Sequence, residues 1–305
     1  MVYIRLWPLP SIFNKKHGER YIRSMPSGKV YLITGGTGSL GQYVVDQLGG
    51  EPKKIIIYSR GEYKQVTMRR EFPGKNLRFF IGDIRDKERL YRALTGVDYV
   101  IHCAALKHVD VGEYNPAEII KTNIIGAMNI IEASIDAGVR KVLAVSTDKA
   151  VNPINIYGAA KLCADKLFIG ANHYSGKDGT KFSVIRFGNF KGSRGSVIPL
   201  FESLRDKQVK VVPITDFRMS RFWISLEDAA VHVTHALQDM SGGEIFSPKM
   251  ERKRVCDIAF EIYPSGEQVE VGIRPGEKLH EDLILPSDAP FTVENRWCFM
   301  THPPH

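Results

Sequence analysis

Thr34-Gly35-Gly36-Thr37-Gly38-Ser39-Leu40-Gly41 constrains the fold of this chain more than any other segment. It follows the apolar run Val30–Ile33 and opens a helical pattern, so its GxxGxxG spacing falls between a strand and a helix N-terminus. Glycines there permit a tight turn and let a pyrophosphate approach backbone N–H groups at the positive helix end. Gly35, Gly36, Thr37, Gly38, Ser39, Leu40 and Gly41 are therefore candidate contacts to a dinucleotide. From Lys29 onward, short β-branched runs alternate with helical stretches, the pattern of a parallel sheet covered on both faces. Strands are expected near Val30–Ile33, Lys54–Tyr58, Leu77–Ile81, Tyr99–Cys103, Lys141–Ser146 and Lys181–Phe187. Pro116–Ala137 reads as a helix, with a proline suited to its first turn and Gly138 just past its end.

After Gly188 the texture is irregular, with short strands at Lys210–Val212 and Val269–Ile273 around one helix, Leu226–Gln238. The organisation expected is an N-terminal extension over 1–28, a dinucleotide-binding domain over 29–187 and a mainly substrate-binding region over 188–305. A chain of 305 residues, 43% apolar and 25% charged, is neither disordered nor collagen-like. Its longest apolar runs are strand-sized, far below the ~20 residues of a membrane helix. The net charge is +8, and residues 1–28 hold Arg5, Lys15, Lys16, Arg20 and Arg23 against Glu19 alone, half of the excess. The rest is too dilute for nucleic acid and suits a phosphorylated small molecule. The extension has no continuous apolar core, so it reads poorly as a secretory signal; ordered extension, targeting segment and start-site artefact all stay open. Cys103, Cys163, Cys256 and Cys298 form no CxxC pair, which argues against a zinc site or disulfide framework and for a reducing, cytoplasmic compartment.

The second strand runs into Ser59-Arg60-Gly61-Glu62-Tyr63-Lys64, where NAD-specific folds place an acidic residue against the ribose 2′-hydroxyl. Ser59, Arg60 and Lys64 are instead groups that bond and neutralise a 2′-phosphate, so NADP is favoured over NAD; a solvated basic loop is the plain alternative. Glu62 is counted with this cofactor segment. Asp83 and Ile84, after the third strand, are placed to touch the adenine, although Asp83 also suits a helix cap. At the end of the fifth strand stand Ser146-Thr147-Asp148-Lys149, followed by Tyr157 and Lys161 at i and i+4 on one helical face. A lysine ammonium beside a phenol favours the phenolate, which makes Tyr157 a usable base.

The glycine turn together with Tyr157 and Lys161 resembles the extended short-chain dehydrogenase/reductase superfamily. Longer strings narrow the likeness: Ala104-Ala105-Leu106-Lys107-His108-Val109, Glu113-Tyr114-Asn115-Pro116, Lys121-Thr122-Asn123, Ser146–Pro153, Arg186-Phe187-Gly188-Asn189, Gly192-Ser193-Arg194-Gly195-Ser196-Val197, Arg221-Phe222-Trp223 and Arg274–Glu281. As a set, over about residues 28–285, they resemble the inverting UDP-N-acetylglucosamine 4,6-dehydratases of bacterial surface and flagellar glycan sugar pathways. The resemblance implies an α/β fold, a Rossmann-like doubly wound parallel sheet with a smaller α/β substrate-binding region on the C-terminal side. It also implies tightly held NADP recycled in each turnover, a UDP-sugar substrate, a homo-oligomer, and no metal, membrane or nucleic acid. Carried over by position, Ala104, Ala105, Lys107, Thr122 and Asn123 are contacts to cofactor or substrate. Lys107, Asn189, Arg194, Ser196 and Val197 are substrate contacts, and Arg221, Arg274 and Glu277 lie at the uridine-diphosphate end.

A plain 4-epimerase removes and returns hydride at one carbon and has no use for an acid/base pair beside the phenol. Asp148-Lys149 is such a pair. In the implied mechanism Tyr157, helped by Thr147 and Lys161, takes the 4-hydroxyl proton as hydride leaves carbon 4. Lys149 removes the proton at carbon 5, provided burial or cationic neighbours lower its pKa, and Asp148 protonates the leaving 6-hydroxyl. Hydride returns to carbon 6, and reprotonation of carbon 5 on the opposite face gives a 6-deoxy-4-keto-L-arabino-hexose. The plain alternative for Asp148-Lys149 is a strand-end ion pair. Another UDP-sugar enzyme (a 4-epimerase or retaining dehydratase) and a non-catalytic NADP-binding paralogue also stay open, as does UDP-glucose as substrate. The chain departs from the resembled pattern at Phe190-Lys191, where small aliphatic residues are usual, and over a shortened Asp257–Gly272.

Overall fold

The computed structural model describes residues 25–48, 51–193 and 195–303. The expectations placed on residues 1–24, and the role given to Arg194, lie outside the described residues. The first half runs β1 (Val30–Thr34), α1 (Ser39–Gln47), β2 (Lys54–Ser59), α2 (Glu62–Glu71), β3 (Leu77–Ile81), α3 (Lys87–Leu94), β4 (Tyr99–His102), α4 (Val109–Tyr114), α5 (Pro116–Ile119), α6 (Gly126–Asp136), β5 (Lys141–Thr147), α7 (Ile156–Ala171) and β6 (Lys181–Phe187). These strands pair in parallel in the order β3-β2-β1-β4-β5-β6. Stretches such as Ile55-Ile56-Ile57 and Val142-Leu143-Ala144 are buried throughout, so they read as unbroken apolar runs. The strand order reverses between β1 and β4, which opens a crevice at the carboxyl ends of the strands. The helix expected over Pro116–Ala137 is interrupted: α5 passes into a π-helical segment, Ile120–Ile125, before α6, and Thr122 and Asn123 are buried in that wide turn.

The second half adds β7 (Asn189–Phe190), α8 (Val197–Asp206), β8 (Val211–Ile214), β9 (Ser220–Ile224), α9 (Leu226–Asp239), β10 (Ile245–Pro248), β11 (Glu251–Arg254), α10 (Val255–Ile262), β12 (Glu267–Glu270), β13 (Thr292–Glu294) and β14 (Cys298–Thr301). The strands expected at 210–212 and 269–273 are β8 and β12, which pair in parallel. The latter stops short of the expected end, with Gly272 at φ +91° and Pro275 beyond it. The main sheet does not end at Phe187: β10 lies parallel beside β6, β14 runs antiparallel to β10, and β13 forms the edge. Sequence reading stopped the sheet early because Ile245–Pro248 is too short for periodicity to decide.

Val44 and Val45 of α1 and Val233 and Leu237 of α9 cover one face of the sheet, and Leu90 of α3, Ile130 of α6 and Phe168 of α7 cover the other. A third core, with Phe201, Val212, Trp223 and Ile258, holds α8 and α10 over the small sheets. Among the described residues no helix is long and apolar enough to cross a membrane, and no group of three or more His, Cys, Asp or Glu is placed to hold a metal ion. All four cysteines are free.

Among the described residues, the pair of Arg186 and Asp165 is buried inside the fold. Arg186, 0% exposed, donates from Nε to Asp165 Oδ2 at 3.0 Å, and Asp165 is 1% exposed. Breaking such a pair strands a charge away from water, so Asp165→Ala is expected to lower stability by about 3–5 kcal/mol. Urea unfolding checks this, and a loss below about 1 kcal/mol would contradict it.

Two histidines make the fold acid-sensitive. Burial, reinforced by the nearby Lys161 charge, pushes His102 down to about 3 from its ordinary 6.5. Burial also lowers His232 to about 4, with His235 adding to the shift and Asp228 opposing it. Both are neutral in the fold, whereas the unfolded chain binds protons below 6.5. Stability is therefore full above that pH and falls as pH drops toward 4 and then 3. Unfolding midpoints at about pH 7 and about pH 5 should show this loss, and His232→Gln should reduce it.

Candidate active site

The strand ends of β1, β2, β4 and β5 border a cleft of about 800 Å³. At its head Gly35 takes φ +64°, and a Cβ there would meet the Ala104 backbone at 2.9 Å. A Cβ at Gly41 would meet Gly36 at 2.6 Å, so only glycine lets the turn close on the first helix. Gly38 is the N-cap of α1 and brings no side chain to it, and it lines the cleft with Ser39, so the positive end of that helix borders the cleft. Gly35, Thr37, Gly38, Ser39, Leu40 and Gly41 line the cleft. Gly36 does not; it is packed on Ile33 and Ile57.

Beyond β2, Ser59, Arg60 and Lys64 line the cleft, joined by Asp83 and Ile84 after β3. Glu62 does not line it, because it starts α2 with its side chain exposed. Arg60 lies 3.7 Å from Asp83, whose carboxylate also holds Arg85 at 2.7 Å. Ala104, Ala105, Lys107 and Thr122 line the middle. Asn123 stands behind them: its Nδ2 donates to Leu106 O at 2.8 Å and its Oδ1 accepts from Leu106 N at 2.9 Å. The expected ligand contact is thus a strut for the 104–107 loop. The hydroxyls of Thr122, Ser146 and Ser196 are buried in the lining without a protein partner, which suits a cleft built for a polar ligand.

At the end of β5, Thr147, Lys149, Tyr157 and Lys161 share the cleft. Thr147 Oγ1 donates to Asp148 Oδ1 at 3.0 Å and also hydrogen-bonds Tyr157. Burial pushes the Tyr157 phenol above its ordinary range, the Thr147 bond opposes that, and Asp148 and Asp165 add to it. The lowering expected from Lys161 is not what sets this phenol; burial and the two carboxylates raise it, and only the Thr147 bond opposes them. Lys161 is itself lowered by burial, against Asp165 and Cys103, and its Nζ donates to Val145 O at 2.8 Å. Lys149 Nζ donates to Asp148 Oδ1 at 3.0 Å and to Asn189 Oδ1 at 3.2 Å. Its charged neighbours are carboxylates, Asp148 and Glu281, the latter at 3.9 Å, where the sequence reading had allowed for cations. Asp148 is 0% exposed and lies behind Lys149, outside the lining.

Toward the other end, Lys107, Asn189 and Ser196 line the cleft, whereas Val197, Arg221, Arg274 and Glu277 do not. The Arg221 guanidinium donates to three backbone carbonyls, Ser220 O, Leu279 O and Lys278 O, at 2.8 to 3.2 Å. Arg274 is paired with Glu277 at 2.6 Å.

Residues 31–302, nearly the whole chain, match the model of the polysaccharide biosynthesis protein family. The chain belongs to that family. It is similar to UDP-N-acetylglucosamine 4,6-dehydratase (inverting) of Campylobacter jejuni, with 53% identity over 88% of this chain and 81% of that protein. A UDP-glucose 4-epimerase of Rickettsia akari is 40% identical over 85% of this chain and 79% of that protein. Among solved structures, Pen from Bacillus thuringiensis has a TM-score of 0.86 at 39% identity, over 91% of this chain and 90% of that one.

In this member of the polysaccharide biosynthesis protein family, sequence reasoning missed one charged side chain. Glu281 is buried between Lys149 and Lys278, at 3.9 and 3.2 Å, and ties the C-terminal loop to the strand-end pair. It lies within the Arg274–Glu281 string, yet only tertiary packing brings it to β5. Phe190, one of the departing residues, lines the cleft beside Asn189.

Proposed function

We propose that the protein is an NADP-dependent UDP-N-acetylglucosamine 4,6-dehydratase, a hydro-lyase that inverts carbon 5. The reading is carried by one arrangement: Lys149, lining the cleft and bonded to buried Asp148, beside the Thr147–Tyr157 pair. That is the extra acid/base equipment a dehydration requires. The dehydratase relative at 53% identity supports the substrate class. Ser59, Arg60 and Lys64 support NADP, since their donors suit a 2′-phosphate and Glu62 is turned away. The uncapped α1 terminus and the glycines a Cβ would obstruct fit the pyrophosphate. The free cysteines accord with a cytoplasmic setting, and a homo-oligomer remains the assembly expected.

NADP, held by the glycine turn and the ends of the second and third strands, would supply the hydride acceptor for carbon 4 and the hydride donor for carbon 6. Tyr157 accepts the 4-hydroxyl proton. Thr147 has one proton and two acceptors, Asp148 and the Tyr157 oxygen, so it turns toward Tyr157 as the phenolate forms and offsets part of the burial cost. Lys161 holds the base of this site through Val145 and adds positive charge. Transfer of a proton from Lys149 to Asp148 across their 3.0 Å bond creates both partners at once, a neutral amine for carbon 5 and a carboxylic acid for the leaving hydroxyl. Asp148 has no exposed surface, so its proton reaches the leaving 6-hydroxyl oxygen by way of Thr147 or Lys149, which are bonded to it and line the cleft.

The 40% identical relative gives a 4-epimerase as the second reading. Mass spectrometry after incubation with UDP-N-acetylglucosamine separates them. A product lighter by one water, without net NADPH, is the dehydratase result; an unchanged mass with inverted carbon 4 is the epimerase result. Reaction of UDP-glucose alone would move the substrate assignment and leave the chemistry.

A further inference from the structure

Gln65, in the first turns of α2, is 5% exposed, and its amide reaches back under the end of β2. Nε2 stands 3.0 Å from each of three oxygens: Ser59 O, Phe80 O and Ser59 Oγ. Two of these are backbone carbonyls, which only accept, so the amide nitrogen and not the oxygen must face this side. The two N–H bonds are shared among the three oxygens, and the Ser59 hydroxyl faces a nitrogen that cannot accept its proton. Its own proton points elsewhere, and Ser59 lines the cleft alongside Arg60 and Lys64.

We infer that Gln65 is the positioning residue for 2′-phosphate selectivity, holding the Ser59 hydroxyl as a donor toward the cleft. The inference rests on the NADP reading above. With Ser59 so held, Ser59, Arg60 and Lys64 form a set of donors, which a phosphate monoester satisfies with its acceptor oxygens. A bare ribose hydroxyl has a proton to give, and these three groups offer it no carboxylate to receive it. Removing the Gln65 amide takes away the donor it supplies to the Phe80 carbonyl and leaves the Ser59 carbonyl with the Gly82 N–H alone. The Ser59 hydroxyl is then the nearest replacement and turns inward.

The test is a double-mutant cycle read as the ratio of Kd for NAD+ to Kd for NADP+, with wild type, Ser59→Ala, Gln65→Met and the double variant. The ratio is insensitive to general loosening of the cleft, since both ligands share everything but the phosphate. Each single change is expected to lower the ratio roughly ten-fold, the scale of one hydrogen bond to a charged group, and the double variant no further. An unchanged ratio in Gln65→Met, or a further ten-fold loss in the double variant, overturns the proposal. Ser59→Ala leaves the Gln65 amide its two carbonyl acceptors and decides the matter even where Gln65→Met does not fold, because an unchanged ratio there is equally fatal. A wild-type protein with no preference for NADP+ would instead strike down the NADP reading itself.

Discussion

Lys149→Arg is expected to fold with nearly wild-type stability and to lose water elimination by roughly 10²–10⁴-fold, the usual worth of a positioned acid/base group. Arginine keeps the positive charge that Asp148 and Glu281 surround, so the buried carboxylates retain a counter-ion. It does not give up its proton, so it offers no base for carbon 5. That separates the two readings of the Asp148-Lys149 pair. A strand-end ion pair tolerates arginine with activity intact; a proton-transfer pair does not. Oxidation at carbon 4 should survive, seen in a single turnover as NADPH absorbance that rises and persists. A thermal melt alongside the assay checks the stability half of the prediction.

Tyr157→Phe is the second large effect, and it fails at an earlier step. Without the hydroxyl no group takes the 4-hydroxyl proton, so kcat should fall by roughly 10²–10⁴-fold and the NADPH signal should not rise at all. Phenylalanine fills the same buried space, and the hydrogen bond lost to Thr147 costs about 1 kcal/mol. A variant that still oxidises carbon 4 would remove Tyr157 from the mechanism. Because burial raises the Tyr157 phenol above its ordinary 10 while its deprotonated form is the base, activity in the wild type should climb as pH rises through the neutral and alkaline range.

The parallel sheet and the head of the cleft were legible because their signals are local. Val30–Thr34, the glycine turn and the Tyr157–Lys161 pair each lie in one stretch of chain, and strand and helix periods place them directly. What was not legible depends on direction or on distant packing. Asn123 belongs to a family string, yet the π-helical turn that carries it aims its amide at the Leu106 backbone and not at a ligand. Arg221 was read as a diphosphate contact, and its guanidinium instead supports Ser220, Lys278 and Leu279. Asp148 and Lys149 are adjacent in sequence, but the 3-10 turn that follows β5 puts the lysine in the cleft lining and buries the aspartate behind it. Glu281 and the strands β10, β13 and β14 reach their places only through pairings more than a hundred residues away in sequence or between short segments with little pattern of their own.

The central claim is proton transfer at carbon 5 beside hydride chemistry at carbon 4, and heavy water reads it directly. Incubation of the protein with UDP-N-acetylglucosamine in D₂O, followed by proton NMR, should give a 6-deoxy-4-keto sugar with deuterium at an inverted carbon 5. A product with carbon 5 still protiated or of retained configuration, or a carbon-4 epimer of unchanged mass, would contradict the account.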